Sequence, residues 1–187
     1  MASIITINEK ELVKDFVKKF NYKKYTFVLL SSDIVTEGKY NNVWPMNKLL
    51  PPSKVLVDII DGAGKKAYKE KYRKYLNMPE SLVYVMMILH RVAIDNGDVV
   101  LVCSEGEEEL KYMKIFKDFL GDAFGTPVYK YKDYAKNPYK CEISKDVKKL
   151  IKGKIDYICE NIVTEEDIQS VMQSDSKSKK NKKKKKK

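Results

Sequence analysis

The stretch Asp98-Val-Val-Leu-Val-Cys103, followed through Ser104-Glu105-Gly106 by the amphipathic run Glu107 to Leu120, decides the fold. Successive side chains of a strand point to opposite faces, so an unbroken apolar run needs cover on both, as strands inside parallel sheets have. A helix arriving after a three-residue loop is the second half of a parallel α/β unit. The expected class is therefore α/β, a three-layer sandwich around a mostly parallel sheet.

Working outward, Tyr25 to Asp33 is another near-continuous apolar run and reads as the first core strand. Pro127 to Tyr131 reads as a third. Helices are expected over Asn8 to Phe20, with Leu12, Val13, Phe16, Val17 and Phe20 inward, and over Lys65 to Tyr75. Two more are expected over Glu80 to Asp95, stopped by Asn96-Gly97, and over Ser144 to Ile162, with Ser144 as cap and Val147, Leu150, Ile151, Ile155 and Ile158 inward. The segment 34–52, which holds the sole tryptophan, Trp44, reads as irregular connection. Lys54 to Ile60 is open between a helix capped by Ser53 and a strand, because Val55, Val57, Ile59 and Ile60 are β-branched. Residues 1–163 are expected to form one domain and residues 164–187 a disordered lysine-rich tail.

The net charge of +11 is unevenly placed. From Ser174 to Lys187 nine lysines face Asp175 alone, a balance of +8, leaving +3 for residues 1–173. A segment with no apolar residue to bury and strong self-repulsion stays disordered. It suits non-specific contact with nucleic acid through Lys179, Lys180, Lys182, Lys183, Lys184, Lys185, Lys186 and Lys187, with a solubility role or anionic lipid as the alternatives.

Tyr129-Lys-Tyr-Lys-Asp-Tyr-Ala-Lys-Asn-Pro-Tyr-Lys140 interleaves tyrosine with lysine, as does Lys65 to Tyr75. Tyr129, Lys130, Tyr131 and Lys132 could offer bases a stacking surface and phosphates a charge. Thirteen tyrosines beside many lysines also fit an AT-rich coding sequence, in which such runs arise without selection and which points to a viral source.

Ligands of open parallel sheets bind beyond the carboxyl ends of the strands. Ser31, Asp33, Cys103 and Glu105 would line one cleft there if their strands are neighbours. Glu105, Glu107, Glu108 and Glu109 disfavour a thiolate at Cys103, so a buried core cysteine is the competing reading. His90 in its apolar helix, and Asp58 and Asp61 around Asp61-Gly-Ala-Gly, match no catalytic motif. One histidine and three scattered cysteines encode neither a metal site nor a disulfide framework, and no cofactor is called for. The apolar runs are less than half the roughly 20 residues that a spanning helix needs, and Met1 to Thr6 lacks a basic leader. Neither membrane insertion nor secretion is expected, and the compartment read from these features is the cytoplasm, a host's if the source is viral.

Trp44-Pro45, Leu50-Pro51-Pro52-Ser53-Lys54, Asp61-Gly62, Tyr68 to Leu76 and Val99 to Glu105 follow one another in an order that resembles the uncharacterised family of unknown function catalogued under number 488. The resemblance implies a compact α/β sandwich and favours a helix over Lys54 to Ile60. The family continues with a Cys-His-Arg triplet where this chain has Glu107-Glu-Glu-Leu-Lys-Tyr112, so the resemblance carries a fold and no activity. Three functions remain open: a nucleic-acid-associated accessory protein, an enzyme acting on a nucleotide or nucleic acid at the strand ends, and a module that blocks a host protein.

Overall fold

The computed structural model describes residues 2–30, 42–50, 65–104 and 107–173. Strands β1 (Ile4–Asn8), β2 (Tyr25–Leu29), β3 (Val43–Pro45), β4 (Asp98–Cys103) and β5 (Tyr129–Lys130) form one sheet in the order β3-β2-β4-β1-β5. Every pairing among them is parallel. Helices cover both faces, so the three-layer α/β class holds.

β4 sits third of five, with Thr26 to Leu29 of β2 opposite Val99 to Val102 on one side and Ile4 to Asn8 of β1 opposite Val99 to Cys103 on the other. Its side chains alternate between two cores, Val99, Leu101 and Cys103 to one and Val100 and Val102 to the other, which is why the run lacks polar residues. The first core contains α2 (Lys65–Leu76), α3 (Pro79–Ala93), α4 (Glu107–Phe124) and α6 (Lys145–Asn161). The second contains α1, a helical run over residues 9–19, and α5 (Tyr131–Lys136). The crossover β1-α1-β2 and the crossover β4-α4-β5 run in opposite directions on opposite faces, as crossovers of one hand must.

Several sequence expectations are corrected. β1 precedes the strand read as first; Ile4-Ile-Thr-Ile is a β-branched run that fills the place between β4 and β5. Asn8 is the N-cap of α1, its side chain accepting from the Glu11 N–H at 2.7 Å. Within α1, Leu12–Phe16 is a π-helical turn; Leu12 and Phe16 are buried, whereas Val13 faces solvent. The segment read as wholly irregular contains β3, which pairs with β2 and carries Trp44. The strand expected over Pro127 to Tyr131 is only two residues long, because Tyr131 opens α5. In α6 Ser144 caps as expected, its hydroxyl accepting from the Val147 N–H at 3.3 Å, but Leu150 lies on the solvent side. Residues 165–173, expected to fray, are helical, here α7, with Val171 buried against the first core. The stop after α3 is made with Asn96 in the left-handed region (φ 57°), while Gly97 leaves room for the Arg91 side chain, which a Cβ would meet at 2.5 Å. The Lys54 to Ile60 segment lies outside the described residues.

Phe16 joins the sheet to α1 and α5, in ring contact with Phe20, Tyr25, Phe27 and Tyr131. Phe16→Ala should cost about 3–5 kcal/mol in a denaturant melt, the usual range for deleting a buried aromatic side chain. At the start of β4, burial pushes the Asp98 carboxyl above its usual range. The native state then holds a proton that the unfolded chain has released, so stability falls as pH rises from the unfolded value of about 3.9 through the raised native one. Asp98→Asn should therefore raise the melting temperature at pH 7 and lose that advantage near pH 3, where both forms are neutral.

Candidate functional site at the strand ends

All five strands run the same way, so the segments leaving them emerge at one edge of the sheet. At that edge a cleft of about 530 Å³ opens between the ends of β1, β4 and β5 and one face of α4. Thr6, Ile7 and Asn8 come from β1, Cys103 from β4, and Lys130, Tyr131 and Lys132 from β5 and the start of α5. α4 adds Met113, Lys114, Lys117 and Asp118; Lys114 and Lys117 are three residues apart and share one helix face. Glu11, in the first turn of α1, completes the lining.

The floor is apolar, with Ile7, Met113 and Tyr131 all buried. Polar groups of the strands are held in place: the Thr6 hydroxyl donates to the Tyr129 carbonyl at 3.2 Å, and the Asn8 N–H reaches the Glu11 carboxylate at 3.5 Å. Asp118 has the Lys69 ammonium at 3.5 Å. Lys114, Lys130 and Lys132 are exposed and Lys117 half-exposed.

β2 and β4 are neighbours, which meets the geometric condition for one cleft at their ends. Ser31, Asp33 and Glu105 lie outside the described residues. Cys103 lines the cleft but is only 4% exposed, and its thiol donates to the Ile7 carbonyl at 3.7 Å. It ends a core strand as a small buried side chain, the competing reading of the sequence. His90 stands at the far end of α3 with Nδ1 3.6 Å from an Asp95 carboxylate oxygen, exposed and away from the strand ends. It shares a groove of about 290 Å³ with Trp44, Met86, Met87, Cys159 and Ile168.

The Tyr-Lys segments separate by residue type. Tyr131 is buried with its ring 5.8 Å from Phe16, and Tyr129 is half-buried against the same core. Tyr134 is buried and its hydroxyl meets that of Tyr25 at 2.9 Å. In α2, Tyr68 and Tyr72 pack with Tyr112 of α4, and the Tyr72 hydroxyl donates to the Leu49 carbonyl at 2.6 Å. Burial pushes the Tyr72 and Tyr134 hydroxyls well above the usual phenol range, so both stay neutral donors. Tyr131, expected to stack bases, is a core side chain with the Phe16 and Phe20 rings against it, whereas Lys130 and Lys132 are exposed. The lysines of the tail, Lys179 to Lys187, lie outside the described residues.

Thr6, Asn8, Glu11, Lys114 and Lys117 belong to the cleft and were not singled out from the sequence. The signal for three of them was present, since a β-branched run followed by Asn-x-x-Glu marks a strand leading into a capped helix. Among the described residues no group of three or more His, Cys, Asp or Glu side chains is placed to hold a metal ion. Among them, too, no helix is long and apolar enough to cross a membrane.

Burial sets a simple chemical expectation. Cys159 is exposed, whereas Cys103 and Cys141 are buried, and burial also pushes the Cys141 thiol up. A thiol reagent should therefore modify Cys159 promptly in the native protein and reach the other two only on denaturation; prompt loss of all three thiols would contradict this placement of Cys103. Compared with known protein families, curated proteins and solved structures, the chain matches none, so the resemblance to family 488 gains no support there.

Proposed function

We propose that this is a nucleic-acid-associated accessory protein that holds phosphate backbones without reading base sequence. The observation that carries the reading is the placement of charge: +8 of the net +11 falls in the last fourteen residues. Each lysine that neutralises a phosphate releases condensed counterions, and that gain is independent of sequence. The burial of Tyr131, Tyr134, Tyr68 and Tyr72 supports the same reading from the other side, because it removes the groups through which bases would be stacked. The lysines at the strand-end cleft add positive charge on the folded part.

An enzyme acting on a nucleotide or nucleic acid at the strand ends is the second reading. What favours it is the pairing of β2 with β4, which sets Leu30, just past the end of β2, against Val102, the neighbour of Cys103. Under that reading Cys103→Ala would abolish turnover while leaving tail-dependent binding intact.

The test of the first reading is a salt series with the full chain and with a full-length variant in which every lysine from Lys177 onward is serine. Fluorescence anisotropy with single-stranded DNA, duplex DNA and RNA should show steep salt dependence for the native chain and little preference among sequences. Because log K falls by about 0.9 per neutralised duplex phosphate and about 0.7 per single-strand phosphate, the variant's slope should be smaller by several units. Equal affinity and equal slope for the two proteins would overturn the proposal.

A further inference from the structure

Independently of the tail, we propose that the strand-end cleft is a binding site for a small phosphate ester, a nucleoside 5′-monophosphate. The first support is unbalanced charge. Among the described residues four ammonium groups, those of Lys114, Lys117, Lys130 and Lys132, line the cleft against two carboxylates, Glu11 and Asp118. Among the described residues none of these four lysines has a carboxylate within 4 Å. The carboxylates are themselves engaged, Asp118 with Lys69 and Glu11 with the cap of its own helix. Among the described lining groups the cations outnumber the anions, which suits a phosphate monoester dianion at neutral pH. Lysine suits that task, because its ammonium acts on phosphate as a flexible point charge with three donors.

Shape and polarity supply the second support. A volume of about 530 Å³ falls within the range of about 300–1,000 Å³ typical of small-ligand pockets. Its floor includes Ile7 and Met113, an apolar surface for the flat face of a base, while the lysines stand at the surface where the phosphate would lie. The ligand that matches an apolar floor beneath a cationic rim has one flat, weakly polar end and one dianionic end. Asn8 and Glu11, at the first turn of α1, offer acceptors for the ribose hydroxyls between the two. The location is also the one that parallel topology favours, beyond the carboxyl ends of the strands.

Thermal unfolding of the full chain separates this site from the tail. A ligand raises the midpoint only when it binds the native state and not the unfolded one. A polylysine segment is present in both states, so anions held by it leave the midpoint unchanged. The probes are AMP, GMP, CMP and UMP, with inorganic phosphate and adenosine as the two halves of the ligand. At least one nucleotide should raise the midpoint by several degrees in a concentration-dependent way, more than either half alone, and the effect should persist when the tail lysines are serine. Lys114→Gln with Lys117→Gln, and Lys130→Gln with Lys132→Gln, made as separate pairs on the full chain, should each weaken the nucleotide at least tenfold. The same melt without ligand reports whether each pair still folds. The proposal is overturned if no nucleotide shifts the midpoint at millimolar concentration, if inorganic phosphate shifts it as much as any nucleotide, or if folded pair variants respond as the native chain does.

Discussion

The structure depends on the burial of β4 on both faces. Val99 to Val102 are fully buried, and the strand is hydrogen-bonded along both edges, to β2 and to β1. No water reaches such a backbone, so its N–H and C=O groups must be satisfied by ladders, and here both ladders are parallel. Parallel neighbours cannot be joined by tight turns, and each crossover must lay a helix on one face or the other. The two cores, the α1 and α5 layer and the α2, α3, α4 and α6 layer, follow from that requirement.

The same constraint makes the cleft. Once the strands share a direction, Asn8, Cys103 and Lys130 end at one edge although they are far apart in sequence. α4 returns across β1 to reach β5, and in doing so carries Lys114 and Lys117 over that edge. Met113 and Phe116 bury their side chains in the core, which fixes the rotation of α4 and turns the lysines beside them outward. The positive rim is thus positioned by apolar packing one residue away.

What the sequence disclosed was the part governed by local rules. Val99 to Cys103, the apolar face of α3 and the Ser144 cap were legible because burial on two faces, helical spacing and a capping oxygen each leave a pattern within a few residues. β1 is legible too, in Ile4-Ile-Thr-Ile before Asn8-x-x-Glu11, although so short a run at a chain end carries no apolar stretch long enough to stand out. Missing β1 hid the partner of β5 and the central wall of the cleft. Lys114 and Lys117 were not legible, because an amphipathic helix puts lysines on its outer face whether or not anything binds there. Only the tertiary arrangement distinguishes these two from Lys111, which is exposed on the same helix and does not line the cleft.

The tyrosine-lysine alternation has an account in packing alone. Strand geometry turns Tyr129 and Lys130 to opposite sides, and Tyr131, the first residue of α5, enters the core while Lys130 and Lys132 stay in solvent. A tyrosine can serve as a core residue where its hydroxyl finds a partner, and Tyr72 with Leu49 and Tyr25 with Tyr134 show how that is met here. Inward tyrosine and outward lysine leave a surface that offers charge without aromatic faces. The four lysines of the cleft are drawn together from β5, α5 and α4 by the same packing that buries Tyr131 between two of them.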